Sequence, residues 1–160
     1  MKEVLIASKF TVYDSVHELS DATKLLMEQA ITIRKNAYAP YSKFKVGAAI
    51  LLSNGKVVLG SNQENAAYPS GLCAERVAIF QAGTLYPRET ILQIALSASS
   101  DVNETKQPIP PCGACLQAIS EYELKQKAGI AISFMGNTGE IYQTESVKNL
   151  LPLMFDGTVL

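Results

Sequence analysis

Apolar positions switch between helical and strand spacing along this chain, and the switches mark its elements. Residues 4–13 mix β-branched and aromatic types with polar ones and read as an extended N-terminal arm or strand. Ser20 and Asp21 offer N-cap oxygens to a helix whose stripe is Leu25, Leu26, Gln29, Ala30 and Ile33 and which runs to about Tyr38. Pro40 ends it, because proline has no N–H for the ladder and restricts the residue before it.

Val46 to Leu52 has the continuous apolar character of a buried strand, and Val57 to Asn62 returns beside it. Between them Asn54-Gly55 predicts a type I′ hairpin turn, which requires positive φ at both central residues. A helix is expected from about Cys73 to Ala82, stopped by Gly83 at C′. Ile91 to Ser99 is the next buried strand, Cys112 to about Lys127 the next helix, and Ile130 to Met135 another strand. A turn at Asn137–Gly139 leads to a short strand around Ile141, and a last helical turn lies near Val147 to Leu151. Strands alternating with helices predict a three-layer α/β architecture on a mixed sheet of about five strands. With no repeat, low-complexity tract or long linker, residues 1–160 read as one domain.

Composition narrows the function classes. Apolar residues at 48% and charged ones at 18% describe a globular chain rather than a disordered one. A formal net charge of -1 leaves no broad basic field for a nucleic-acid backbone. The short apolar stretch from Val4 to Ala7 is too brief for a secretory signal, and no run reaches the roughly 18 apolar residues of a membrane span, so a cytoplasmic protein is expected. Three cysteines in a reducing compartment do not make a disulfide framework.

The cysteines fall in two segments, Cys73-Ala74-Glu75-Arg76 and Pro111-Cys112-Gly113-Ala114-Cys115, each opening a predicted helix. Cys112 and Cys115 share a helix face, and N-terminal N–H groups favour the thiolate form. If the two helix starts face each other, Cys73, Cys112 and Cys115 converge on one tetrahedral ion. Three protein ligands and an open fourth position for water is the pattern of catalytic zinc. Glu75, not itself a ligand, is placed to take a proton from that water, with a pKa raised by burial. Three thiolates on a divalent ion leave a charge of -1, and Arg76, three residues after Cys73, could donate to the sulfurs and restore acidity.

A His- or Cys-x-Glu segment followed by Pro-Cys-x-x-Cys is a signature of zinc deaminases. Together with Ala37-Tyr38-Ala39-Pro40-Tyr41-Ser42-Lys43-Phe44, Val46-Gly47-Ala48-Ala49 and Asn62-Gln63-Glu64-Asn65-Ala66-Ala67-Tyr68, it makes the chain resemble the free-nucleoside cytidine deaminases over about residues 22 to 155. The resemblance implies an α/β/α fold, a homotetramer with shared active sites, one Zn2+ per subunit, and a role in pyrimidine salvage. It implies hydrolysis of cytidine and deoxycytidine: attack at C4 of the base, with Glu75 protonating N3 and then the leaving amine. It further implies that Asn62 and Glu64 hold the ribose hydroxyl, that Phe44 packs on the pyrimidine, and that the Ala74 carbonyl and Glu75 read the base. Phe155 resembles the aromatic that closes a neighbour's site, with Tyr68 at the same subunit junction. Leu116 departs from the pattern, since many relatives carry Arg there, and residues 1–20 extend beyond the shortest members.

Other readings stay open on the residues alone. Phe44 and Phe155 could be core or interface aromatics, and Asn62 and Glu64 strand-end turn residues. His17, the only histidine, could complete a closed Cys3His structural zinc site, giving a binding module instead of an enzyme. A Cys112–Cys115 redox pair leaves Cys73 and Glu75 without a role. Within the enzyme class, the runner-up substrate is another aminopyrimidine compound.

Overall fold

A computed structural model describes residues 1–157. Strand β1 (Thr11–Tyr13) is followed by helix α1 (Asp21–Ile33), the hairpin of β2 (Phe44–Leu52) and β3 (Val57–Ser61), and helix α2 (Ala74–Leu85). Strand β4 (Ile91–Ser100), helix α3 (Gly113–Gln126) and the pair β5 (Ala131–Met135) and β6 (Ile141–Thr144) come next. All strands join one six-stranded sheet in the order β1-β6-β5-β4-β2-β3. Among the strands of the described residues, only β4 and β5 pair in parallel. No helix among the described residues is long and apolar enough to cross a membrane.

Side-chain alternation along the central strands makes the layers. Ala48 and Ile50 of β2 and Ile94 and Leu96 of β4 pack with Ala78 and Ile79 of α2 and Ile119 of α3. Their neighbours Ala49 and Ala95 face the other way, against Leu26, Met27 and Ala30 of α1. The expected α/β/α arrangement is therefore present, with one helix on one face and two on the other.

Strands β3 and β4 both run antiparallel to β2 and hence parallel to each other, with α2 as their crossover. Helix α3 crosses between the parallel pair β4 and β5. Both helices thus begin at the same end of the sheet, after the C-terminal ends of β3 and β4. That topology brings the two cysteine segments together.

The structure departs from the sequence reading in several places. The sheet has six strands rather than about five, the sixth being β1, a three-residue edge strand on β6 at the end of the stretch read as an arm or strand. Helix α1 stops at Ile33 and tightens into a 3-10 turn over Arg34–Asn36, where the Arg34 guanidinium donates to Ser97 Oγ at 2.7 Å and Asn137 Oδ1 at 2.7 Å. Its buried stripe is Thr23, Leu26, Met27 and Ala30; Leu25 is 60% exposed and Met27 is fully covered. At the β2–β3 turn only Gly55 has positive φ (79°), so a three-residue loop over Ser53–Gly55 replaces the two-residue type I′ turn. Gly83 lies inside α2 rather than past its end, and the Tyr122 hydroxyl occupies the space a Cβ would need there.

Candidate active site

Gly60 on β3 admits the first turn of α2: a Cβ there would lie 2.5 Å from the Ala74 carbonyl oxygen and 2.7 Å from the Ala78 nitrogen. This close approach seats Cys73 at the N-cap of α2, while Cys112 is the N-cap of α3 and Cys115 follows in the first turn of α3. Neither N-cap sulfur is engaged in a capping hydrogen bond. The Cys73 and Cys112 Sγ atoms are 3.9 Å apart, Cys112 and Cys115 3.5 Å, and all three lie within 4.8 Å of one another. Sulfurs tetrahedrally disposed about zinc at about 2.3 Å stand roughly 3.8 Å apart, so this donor set fits one zinc ion. Among the described residues it is the one group of three or more His, Cys, Asp or Glu placed to hold a metal.

The local field favours the bound form. The Cys73 thiol is held at about 5, far below the ordinary thiol range, first by the neighbouring Cys115 thiol and then by Arg76 and Cys112, against the effect of burial. Cys115 is pushed up by the neighbouring Cys73 thiol and by burial, so the sulfurs compete for protons that a divalent cation would displace. Arg76 donates from Nη2 to Cys73 Sγ at 3.8 Å, as its position three residues along α2 led us to expect. Glu75 is only 6% exposed, and burial, reinforced by the negative charge of Cys73, raises its pKa above the usual carboxylate value. A shift in that direction is the one a carboxylate needs to accept and return a proton.

Two cavities meet at Cys73. The smaller, about 220 Å3, is lined by Cys73, Cys112, Glu75, Phe44 and Asn62, with Ile109 forming part of its apolar wall. The larger, about 500 Å3, is lined by Asn62, Glu64, Tyr41, Tyr68, Cys73 and Arg76. Of the residues singled out from sequence, Cys73, Cys112, Cys115, Glu75, Arg76, Phe44, Asn62, Glu64 and Tyr68 are therefore gathered around one place.

Their engagements differ. Asn62 accepts at Oδ1 from the Val46 N–H (2.7 Å) and donates from Nδ2 to the Phe44 carbonyl (2.9 Å), fixing the start of β2 and leaving one N–H and one lone pair free. Glu64 Oε2 accepts from the N–H groups of Tyr41 (2.9 Å) and Ser42 (3.3 Å). Its carboxyl is held below the usual range, first by the Ser42 side chain and then by those backbone groups. Tyr68 is 77% exposed and meets Tyr41 edge-on at 6.3 Å.

Ala74 is buried with its carbonyl against Gly60 and lines neither cavity. Phe155 also lines neither; the residue is 62% exposed and its carbonyl accepts from Gln117 Nε2 at 2.8 Å. Leu116 is buried in the core under α3. His17 is exposed on the 3-10 turn Val16–Glu18, whose Val16 packs on the α1 face, so it stands apart from the sulfurs. Sequence reasoning gave no role to Tyr41 and Ser42, which hold Glu64, or to the wall residue Ile109; the Pro-Tyr-Ser-Lys segment was the available signal for the first two.

A family model described as the cytidine and deoxycytidylate deaminase zinc-binding region matches residues 20–128, the stretch containing all three cysteines, Glu75 and Arg76. The chain is 40% identical over 132 residues to the cytidine deaminase of Halalkalibacterium halodurans, covering 82% of this chain and 92% of that one. It is 38% identical to the enzyme of Sporosarcina psychrophila, covering 84% and 91%. The crystal structure of cytidine deaminase from Burkholderia pseudomallei superposes with a TM-score of 0.72 at 37% identity, covering 86% of this chain and all of that one. The chain belongs to the cytidine and deoxycytidylate deaminase zinc-binding family.

Proposed function

We propose that this protein hydrolyses cytidine, and deoxycytidine with it, to the uridine product and ammonia. The observation that carries the reading is the trio of sulfurs at tetrahedral spacing with the buried Glu75 carboxyl lining the same cavity. Cys73, Cys112 and Cys115 hold the zinc, which when bound makes water a nucleophile at neutral pH. Glu75 takes one proton from the attacking water and passes it to N3 of the ring. It then takes the second proton from the hydroxyl newly formed on C4 and gives it to the amino nitrogen, so that the C4–N bond breaks, the carbonyl forms and ammonia leaves. Arg76 offsets the excess negative charge of three thiolates.

Phe44 offers an apolar face to the base. Asn62 and Glu64 receive the ribose hydroxyl, Asn62 through the N–H and lone pair its backbone contacts leave over. The Ala74 carbonyl is assigned a base contact on the resemblance alone. Exposed Tyr68 and Phe155 support a homotetramer in which a neighbouring copy closes each site. Such an enzyme would work in the cytoplasm, in pyrimidine salvage.

The test is to incubate zinc-loaded protein with cytidine and follow loss of the cytosine absorbance together with ammonia release. Stoichiometric conversion supports the reading. A zinc-replete protein inert toward both cytidine and deoxycytidine would overturn the substrate assignment.

A further inference from the structure

The C-terminal segment runs back along α3 between two clasps. At the first, buried Glu123 accepts at Oε1 from the N–H groups of Ile130 (2.8 Å) and Val147 (2.8 Å) and at Oε2 from the Ser146 hydroxyl (2.7 Å). At the second, Gln117 Nε2 donates to the Phe155 carbonyl at 2.8 Å. Gln117 precedes Glu123 by six positions on the helix, about 9 Å toward its N-terminus. The tail therefore travels antiparallel to α3, toward the end that carries Cys112 and Cys115. Leu150, Leu151 and Met154 turn inward onto the core, while the Phe155 ring stays exposed. Gln117 is itself exposed, and its amide lies 3.4 Å from the Ser120 hydroxyl, which donates to the Gln117 carbonyl at 2.7 Å. This contact limits the positions its side chain can take.

We propose that Gln117 is a positioning residue for nucleoside binding: by holding the Phe155 carbonyl it fixes where the aromatic ring leaves the metal-bearing helix. The inference rests on the reading that Phe155 covers a bound nucleoside. Phe155 lines neither cavity of its own chain, so under that reading the site it covers is a neighbouring copy's. The bond acts on ring placement and not on the metal or the proton, so its loss weakens binding rather than the chemical step.

The experiment is steady-state kinetics with cytidine on zinc-loaded, full-length Gln117→Ala, Gln117→Glu, Phe155→Ala and the Gln117→Ala/Phe155→Ala double variant. Gln117→Ala should raise KM about fivefold, the loss expected of one neutral hydrogen bond, with zinc content and kcat near wild type. Gln117→Glu keeps the shape but has no donor at that atom, and should behave likewise. In the Phe155→Ala background, Gln117→Ala should add nothing further to KM. A raised KM in Phe155→Ala with none in Gln117→Ala would overturn the tether alone, as would additive effects or loss of zinc on Gln117→Ala. No KM change in Phe155→Ala would instead sink the underlying reading of that ring, and this inference with it.

Discussion

Cys73, Cys112 and Cys115 stand on two helix starts that parallel strands deliver to one end of the sheet. Glu64, Tyr68 and Phe155 stand instead on loops and a tail, fixed by hydrogen bonds to backbone or by edge contacts between rings. The first group converges within one chain at distances a metal requires, while much of the second points outward. Metal geometry tolerates errors of only a few tenths of an ångström, so it is built on regular elements; a binding wall can be adjusted by loops.

That contrast predicts a graded series of effects. Largest is removal of the metal: chelation, or Cys112→Ser, should reduce cytidine turnover to background, with zinc restoring the chelated wild type but not the variant. Activity persisting without bound zinc would break the comparison. Arg76→Gln should follow, lowering activity or zinc affinity by about 10–100-fold through the sulfurs it contacts, measured by turnover and by competition with a chromogenic chelator. Glu64→Gln belongs to the loop-borne group and should raise KM about tenfold, the cost of losing a charged hydrogen-bond acceptor, with zinc content unchanged. Zinc loss in that variant would show that the two regions are not independent. Smallest on activity is Gly83→Ala, far from the cysteine end of α2. Crowding against Tyr122 should cost about 1–3 kcal/mol in thermal unfolding while leaving kcat/KM intact.

How legible each region was follows from the range of the forces that make it. The cysteine cluster was readable because helix starts, i, i+3 spacing and the Cys-Ala-Glu-Arg segment are all local, and the alternation of elements was enough to predict the layers. The side-chain engagement of Asn62 was not, since Val46 and Phe44 reach it only across the β2–β3 pairing. Local rules also misplaced details that tertiary contacts decide. Arg34, just past the end of α1, reaches Ser97 and Asn137, and Gly83 sits within α2 where Tyr122 leaves no room for a Cβ. Strand β1 takes up only the last three residues of the stretch read as an arm or strand, and its place at the sheet edge follows from pairing with β6. Glu123 and Gln117 gave no sequence cue at all, because a Glu or Gln on a helix is usually solvated. Only the returning tail reveals what they hold.

The central claim is that Glu75 moves protons without holding the metal. Glu75→Gln preserves the side chain's size and removes its basicity, so the decisive measurement is cytidine turnover beside zinc content in that variant. The account predicts one zinc per chain, retained, and a fall in kcat of about 100- to 10,000-fold, the range for loss of a general acid–base group. Near-normal turnover with zinc bound, or zinc lost along with activity, would contradict it.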